Sequence, residues 1–259
     1  YAKINNYFNY IKIFFSSIKQ KWFQSIFLDL LLFDFSKIFL NKNFNFITLF
    51  LNGGAHIQHH YLFNSKLSNN NKNKSWYLDE KYDPVMDVYK YYDKILEQSL
   101  TIIKKNNFRM IILTALSQDL VQEDIIYYRL KKHDDFLNKL QINFERVDTL
   151  MSRDFKIFSN SNSAKHECDN NLNQITINNK KIFSTKIYDN FIFVQLIYKS
   201  TIEESTIIKY QNKKVKAKEY FDLVAVKNGM HNPKGYLYFT KGIKKGVIKN
   251  NDHVSNIYN

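Results

Sequence analysis

Two apolar runs, Phe44–Leu51 and Arg109–Thr114, flank a segment of helical period, and this alternation constrains the fold more than any other feature of the chain. Phe44-Asn-Phe-Ile-Thr-Leu-Phe-Leu51 reads as a buried strand, and Arg109-Met-Ile-Ile-Leu-Thr114 as the next. Between them Pro84 stands at a helix start with Asp83 in the N-cap place. Val85, Val88, Tyr89, Tyr92, Ile95, Leu96 and Leu100 then recur at i, i+3, i+4 and i+7. Strand, helix and strand with short connections predict a right-handed parallel crossover. The expected architecture is α/β: a three-layer αβα domain with a largely parallel sheet. A small antiparallel or loop-rich insertion is expected at about 159–220.

Residues 5–42 are helical by period, through Phe8, Ile11, Phe15, Ile18, Trp22 and Ile26. Residues 64–81 are polar and read as a surface loop. A helix is expected over about 122–141, a short strand near 144–158, and an Asn/Ser-rich loop at 159–181. Phe191–Tyr198 with the preceding Lys186-Ile-Tyr suggests an antiparallel hairpin. Phe221–Val226 reads as a core strand and Tyr236–Phe239 as a last short one, and the residues after 243 read as frayed.

At 259 residues the chain can bury a full core as one large domain, 1–259. It begins with Tyr1 rather than Met, so the domain is expected to lack an N-terminal part. The net charge of +14 invites a nucleic-acid reading, but the positive charge is nearly all Lys, with Arg at 109, 129, 146 and 153 alone. Arg is preferred for bidentate recognition of phosphates and bases. Nucleic acid is therefore an unlikely partner, and the charge reads as a solvated surface. Cys168, the one cysteine, suits a reducing compartment and a cytoplasmic location. The most apolar stretch, Ile26–Phe35, is too short to span a bilayer and contains Asp29 and Asp34, so it reads as a core helix.

The chemistry-bearing residues are histidines. His56, His59 and His60 fall within five residues, in Asn52-Gly-Gly-Ala-His-Ile-Gln-His-His-Tyr61. Gly-Gly and imidazoles after an apolar run look like the carboxyl end of a strand, where ligands of open α/β sheets bind. His56 and His60, four apart, share one side of a helical turn and can share an ion. His231 follows the strand at 221–226, in Gly229-Met-His-Asn-Pro-Lys-Gly235. Three imidazoles, His56, His60 and His231, would leave an open position on a divalent metal, as in catalytic zinc sites. Zinc is expected, with manganese as the alternative. His59 is the candidate acid/base residue. Tyr61, Asn64, Ser117 and Gln118 are candidate substrate contacts. His133 reads as solvated, and Asp83 and Asp87 as capping residues.

The order of these motifs resembles the C-terminal half of the alkaline phosphatase superfamily, which includes phosphodiesterases, nucleotide pyrophosphatases and sulfatases. The resemblance covers roughly 44–120 and 221–240. It matches His56, His60 and His231 to one of the family's two metal sites, and Tyr89 and Asp93 to a Tyr-x-x-x-Asp helix. It implies a metal-dependent hydrolase of phosphate or sulfate esters, of small molecules or glycans. Leu116 and Ser117 stand where the family's second metal is held by Asp and His, so that site is lost or rebuilt here. The family's nucleophilic Ser or Thr would lie before Tyr1. A catalytically silent relative that binds a glycan or an anionic partner is the alternative.

Overall fold

The computed structural model describes residues 4–40, 42, 44–66, 68, 72–150 and 153–240. The Lys/Asn-rich tail after 243 and the centre of the 64–81 loop lie outside the described residues. The chain forms two compact units, residues 1–122 with 228–259, and residues 123–227.

The first unit is mainly helical: α1 (Ile4–Lys19), α2 (Trp22–Leu40), α3 (Gly53–Tyr61) and α4 (Pro84–Asn106). The expected helix over 5–42 forms with a break at Gln20-Lys21. Asp83 caps α4 by accepting the Met86 N–H at 2.9 Å, as its position before Pro84 implies. Asn107 ends the helix in the left-handed conformation, with φ of 53°. Val85 and Val88 are fully buried beside Trp22, Ile26, Ile57 and Leu78, each such side chain contributing about 1.5–3 kcal/mol by leaving water. Trp22 Nε1 donates to Asp87 at 3.1 Å, so the indole is both packed and satisfied.

The sheets correct the expected fold. Among the described residues there are twelve strands in four small antiparallel sheets, and no largely parallel sheet. The chain is therefore not a three-layer αβα domain. Residues 44–51 form no strand; they run unpaired, with Phe46 72% and Phe50 79% exposed. A parallel strand needs neighbours and a helical layer on each face, and here the run has neither. The second expected strand does form, as β1 (Ile111–Thr114), but it pairs antiparallel with β12 (Tyr236–Phe239). Ile111 and Leu113 stay exposed. The crossover expected between the two runs therefore does not exist.

β2 (Ser117–Leu130) and β11 (Phe221–Asn232) pair with each other, and through them the chain passes into and out of the second unit. β2 occupies much of the span where a helix was expected; α5 is confined to His133–Leu140.

In the second unit, β3 (Arg146–Thr149), β4 (Asp154–Phe158), β7 (Phe183–Ile187) and β8 (Ile192–Leu196) form one sheet in the order β3-β4-β8-β7. The β7–β8 hairpin is the one its alternating residues suggest. Phe155, Ile157, Ile192 and Val194 point inward, with α5 and α6 (Asn162–Asn173) supplying Phe136, Leu137 and Leu172 to the same core. The helix α6 lies where a loop was expected; Ser161 caps it by accepting the Ala164 N–H. A second sheet holds β5 (Thr176–Ile177), β6 (Lys180–Lys181), β9 (Ile207–Tyr210) and β10 (Lys213–Lys216), followed by α7 (Ala217–Tyr220). Asn178 and Asn179, at φ of 50° and 61°, make the tight turn between β5 and β6.

Two side chains of this unit bear on chemistry. His133 is not solvated as its sequence setting implied; it is buried edge-on against Phe155, which lowers its pKa, with nearby Arg129 adding to the effect. Cys168 is buried, and burial, followed by Asp169 and Glu167, pushes its thiol pKa up to about 12.

Candidate functional site

The histidines sit on a helix whose start is fixed by a buried acid rather than on a loop at a strand end. Asn52 gives α3 no side-chain cap. Instead Asp29 of α2, 2% exposed, accepts the Gly53 N–H at 2.8 Å. The Tyr92 hydroxyl donates to the same Asp29 oxygen at 2.5 Å and accepts the Gly54 N–H at 2.7 Å. A carboxylate at a helix N-terminus satisfies free N–H groups and complements the helix dipole. The Gly-Gly pair is required by this approach: a Cβ on Gly53 would fall 2.5 Å from the Asp29 carboxylate, and one on Gly54 2.9 Å from the Tyr92 ring. The glycines therefore serve α3's docking.

From that start the 3.6-residue period decides the faces. Ile57 goes to the core and Tyr61 packs between Trp22 and Tyr77. His56, His59 and His60 fall on the other side. His56 and His60 lie with ring centroids 4.5 Å apart, as their i,i+4 spacing implies. His60 Nδ1 is 3.2 Å from the Tyr77 hydroxyl. Burial, then the neighbouring His56 and His59, lowers the His60 pKa to about 4. Partial burial and His59 lower that of His56. Both rings are neutral at pH 7, with a lone pair each.

His59 is the best oriented of the three. Its Nδ1 donates to the Gly229 carbonyl at 2.9 Å, which leaves the lone pair on Nε2. That Nε2 faces His231 Nε2 at 2.9 Å, and the two ring centroids are 4.7 Å apart. The Gln118 amide nitrogen, on β2, is 3.2 Å from the same His59 nitrogen. The other amide atom, Gln118 Oε1, is buried without a partner. Gly229 makes this approach possible: a Cβ there would lie 3.0 Å from the Gln58 carbonyl oxygen and 3.2 Å from Gln118 Oε1. β11 is held beside β2 by Asn232, which donates to Asp119 at 2.6 Å.

No family model, curated protein or solved structure matches the chain.

The imidazoles are thus gathered in two pairs, His56 with His60 and His59 with His231. His231 is brought to His59 rather than to the His56–His60 pair. Among the described residues no three His, Cys, Asp or Glu side chains form a metal-holding group; the third side chain beside His59 and His231 is Gln118, through its amide nitrogen. Gln118 therefore joins the cluster. Ser117, its neighbour on a strand, faces the opposite side of β2. Tyr61 is a core ring, and burial raises its hydroxyl pKa.

Asn64 belongs to a buried amide cluster. Its Oδ1 accepts the Asn73 N–H and Nδ2, both at 3.0 Å, and Asn73 and Asn228 exchange hydrogen bonds at 2.7 and 2.9 Å. Asn228 Oδ1 also accepts the Phe63 N–H at the end of α3. This cluster fixes β11 one residue before Gly229. Asn73 and Asn228 are not marked in the sequence, because amides in a polar stretch carry no signal of burial. Of the helix residues matched to the Tyr-x-x-x-Asp pattern, Tyr89 accepts from Gln58 at 2.7 Å and Asp93 is exposed.

Proposed function

We propose that this cluster is a divalent-cation site and that the protein hydrolyses phosphate or sulfate esters there. The observation that carries the metal assignment is His59: a ring anchored through Nδ1–H to a backbone carbonyl, with its Nε2 lone pair aimed at a second imidazole. Metal-ligating histidines are oriented in this way, and neutral imidazole suits zinc, while a carbonyl oxygen suits manganese. His59 and His231 would hold the ion through Nε2, with the Gln118 amide oxygen as a third, neutral donor. That oxygen is an orphaned buried acceptor as it stands, and an amide rotation would present it. A bound ion would supply Lewis acidity toward a non-bridging ester oxygen and acidify a bound water.

The chain's own residues do the rest. The Gly229 carbonyl holds the His59 ring in one tautomer. His56 and His60 stand as a separate imidazole pair on the same helix. The ester class rests on the resemblance of the motif order to the alkaline phosphatase superfamily, whose three-layer fold this chain does not share. A second reading, a silent relative that binds a glycan or an anionic partner, is favoured by Leu116 and Ser117 standing in place of a carboxylate and an imidazole.

Turnover of bis-p-nitrophenyl phosphate and p-nitrophenyl sulfate with added zinc or manganese tests the proposal. Hydrolysis lost in His59→Ala and kept in the exposed His166→Ala supports it. Metal binding without turnover of either ester points to the silent reading.

A further inference from the structure

The helix α1 carries a surface that no described residue of the first unit covers. Tyr7, Phe8, Ile11, Phe14, Phe15 and Ile18 are between 53% and 71% exposed. At 3.6 residues per turn their spacing confines them to an arc of about 120°. The stripe is not left over from poor packing, because the opposite side of the same helix is engaged. Ile13 is fully buried, Tyr10 meets Phe27 edge-on at 5.5 Å, and its hydroxyl donates to Asp34 at 2.5 Å. α1 is thus held with its aromatic side facing solvent. A contiguous apolar surface of this kind marks an interaction site.

Charge identifies the occupant. Lys12 and Lys19 border the stripe, and α1 has no acidic residue. The first 44 residues contain six lysines against Asp29 and Asp34 alone. Both acids are engaged inside the fold, Asp29 with Gly53 and Tyr92, Asp34 with Tyr10 and Lys37. Two copies meeting through this stripe would bring lysine borders together within a Debye length of about 10 Å. An anionic surface has the complementary sign. Among the described residues no helix is long and apolar enough to cross a membrane, whereas an amphipathic helix with aromatics on one side and lysines at its border lies in the headgroup plane.

We infer that α1 docks the protein onto an anionic lipid surface, with its aromatic stripe inserted at the headgroup boundary and Lys12 and Lys19 paired with lipid charge. The test is cosedimentation of the full chain with vesicles of phosphatidylcholine alone or with phosphatidylserine. Binding is expected for the phosphatidylserine vesicles and should fall as salt is raised. Phe8→Asp with Phe15→Asp should weaken partitioning by about tenfold or more per residue. Lys12→Glu with Lys19→Glu should remove the preference for phosphatidylserine. Because all four positions are exposed, the variants should keep the wild-type circular dichroism. No binding to phosphatidylserine vesicles overturns the inference, as does binding unchanged by the Phe→Asp pair. A concentration-dependent dimer that this pair dissolves, without vesicle binding, would assign the stripe to a second copy and also overturn it.

Discussion

Asp29 should be among the most consequential single residues of the first unit, because one buried carboxylate organises both the start of α3 and the Tyr92 hydroxyl. Asp29→Ala removes the acceptor for the Gly53 N–H and for the Tyr92 O–H, both turned into the interior. A buried polar group left unpaired costs about 1–3 kcal/mol. Loss of the negative charge at the helix N-terminus adds about 0.3–1 kcal/mol. With two such groups the sum is about 2–7 kcal/mol. Asp29→Asn keeps one oxygen of the same shape and should cost about half as much. Tyr92→Phe, which also strands the Gly54 N–H, should couple to Asp29→Ala by at least about 0.5 kcal/mol in a double-mutant cycle. Urea unfolding followed by tryptophan fluorescence measures this directly, since Trp22 and Trp76 both lie in this unit. A cost for Asp29→Ala below about 1 kcal/mol, or additivity with Tyr92→Phe, would refute the reasoning.

Three further outcomes follow from the same structure. Asn228→Ala, which strands the Phe63 N–H and breaks two bonds to Asn73, should cost about 3 kcal/mol in urea unfolding. Cys168, with its pKa pushed up to about 12, should resist a thiol-disulfide reagent at pH 8 in the native state and react at once in denaturant. His133, whose folded pKa lies below the 6.5 of the unfolded chain, takes its proton first when unfolded; stability should be level above pH 6.5 and fall as pH drops below it. His133→Gln should make that decline shallower, the rest coming from His56 and His60, whose pKa values are also lowered, and an equally steep decline in the variant's urea midpoints between pH 7 and 5 would refute the assignment.

What the sequence made legible was local. Helix period and capping chemistry locate α1, α2 and α4, because apolar spacing and the Asp83-Pro84 start act within a few residues, although the stripe that marks α1 is exposed rather than buried. Hairpin alternation located β7 and β8 for the same reason. The topology was not legible. Phe44–Leu51 and Arg109–Thr114 have the composition of core strands, but whether a strand is buried depends on partners: the second run found one in Tyr236–Phe239 and the first found none. Helix α6 was read as a loop because Asn and Ser dominate it, although the Ser161 cap and the spacing of Cys168 and Leu172 were available signals. The turn at Asn178-Asn179 was equally visible, since asparagine tolerates positive φ.

At the site, the i,i+4 pairing of His56 and His60 could be read from spacing. The pairing of His59 with His231 could not, because it depends on Gly229 offering its carbonyl across 170 residues of sequence. Gly-Gly was read as a ligand-binding turn; only the three-dimensional position of Asp29 and Tyr92 shows why those residues must be glycine.

The central claim, that His59 and His231 hold a divalent cation, is tested most directly by titrating the metal-free chain with zinc under calorimetry. The account predicts one ion per chain, with binding abolished by His59→Ala and by His231→Ala and retained in His166→Ala. No zinc binding by the wild-type chain, or binding that survives both substitutions, would contradict it.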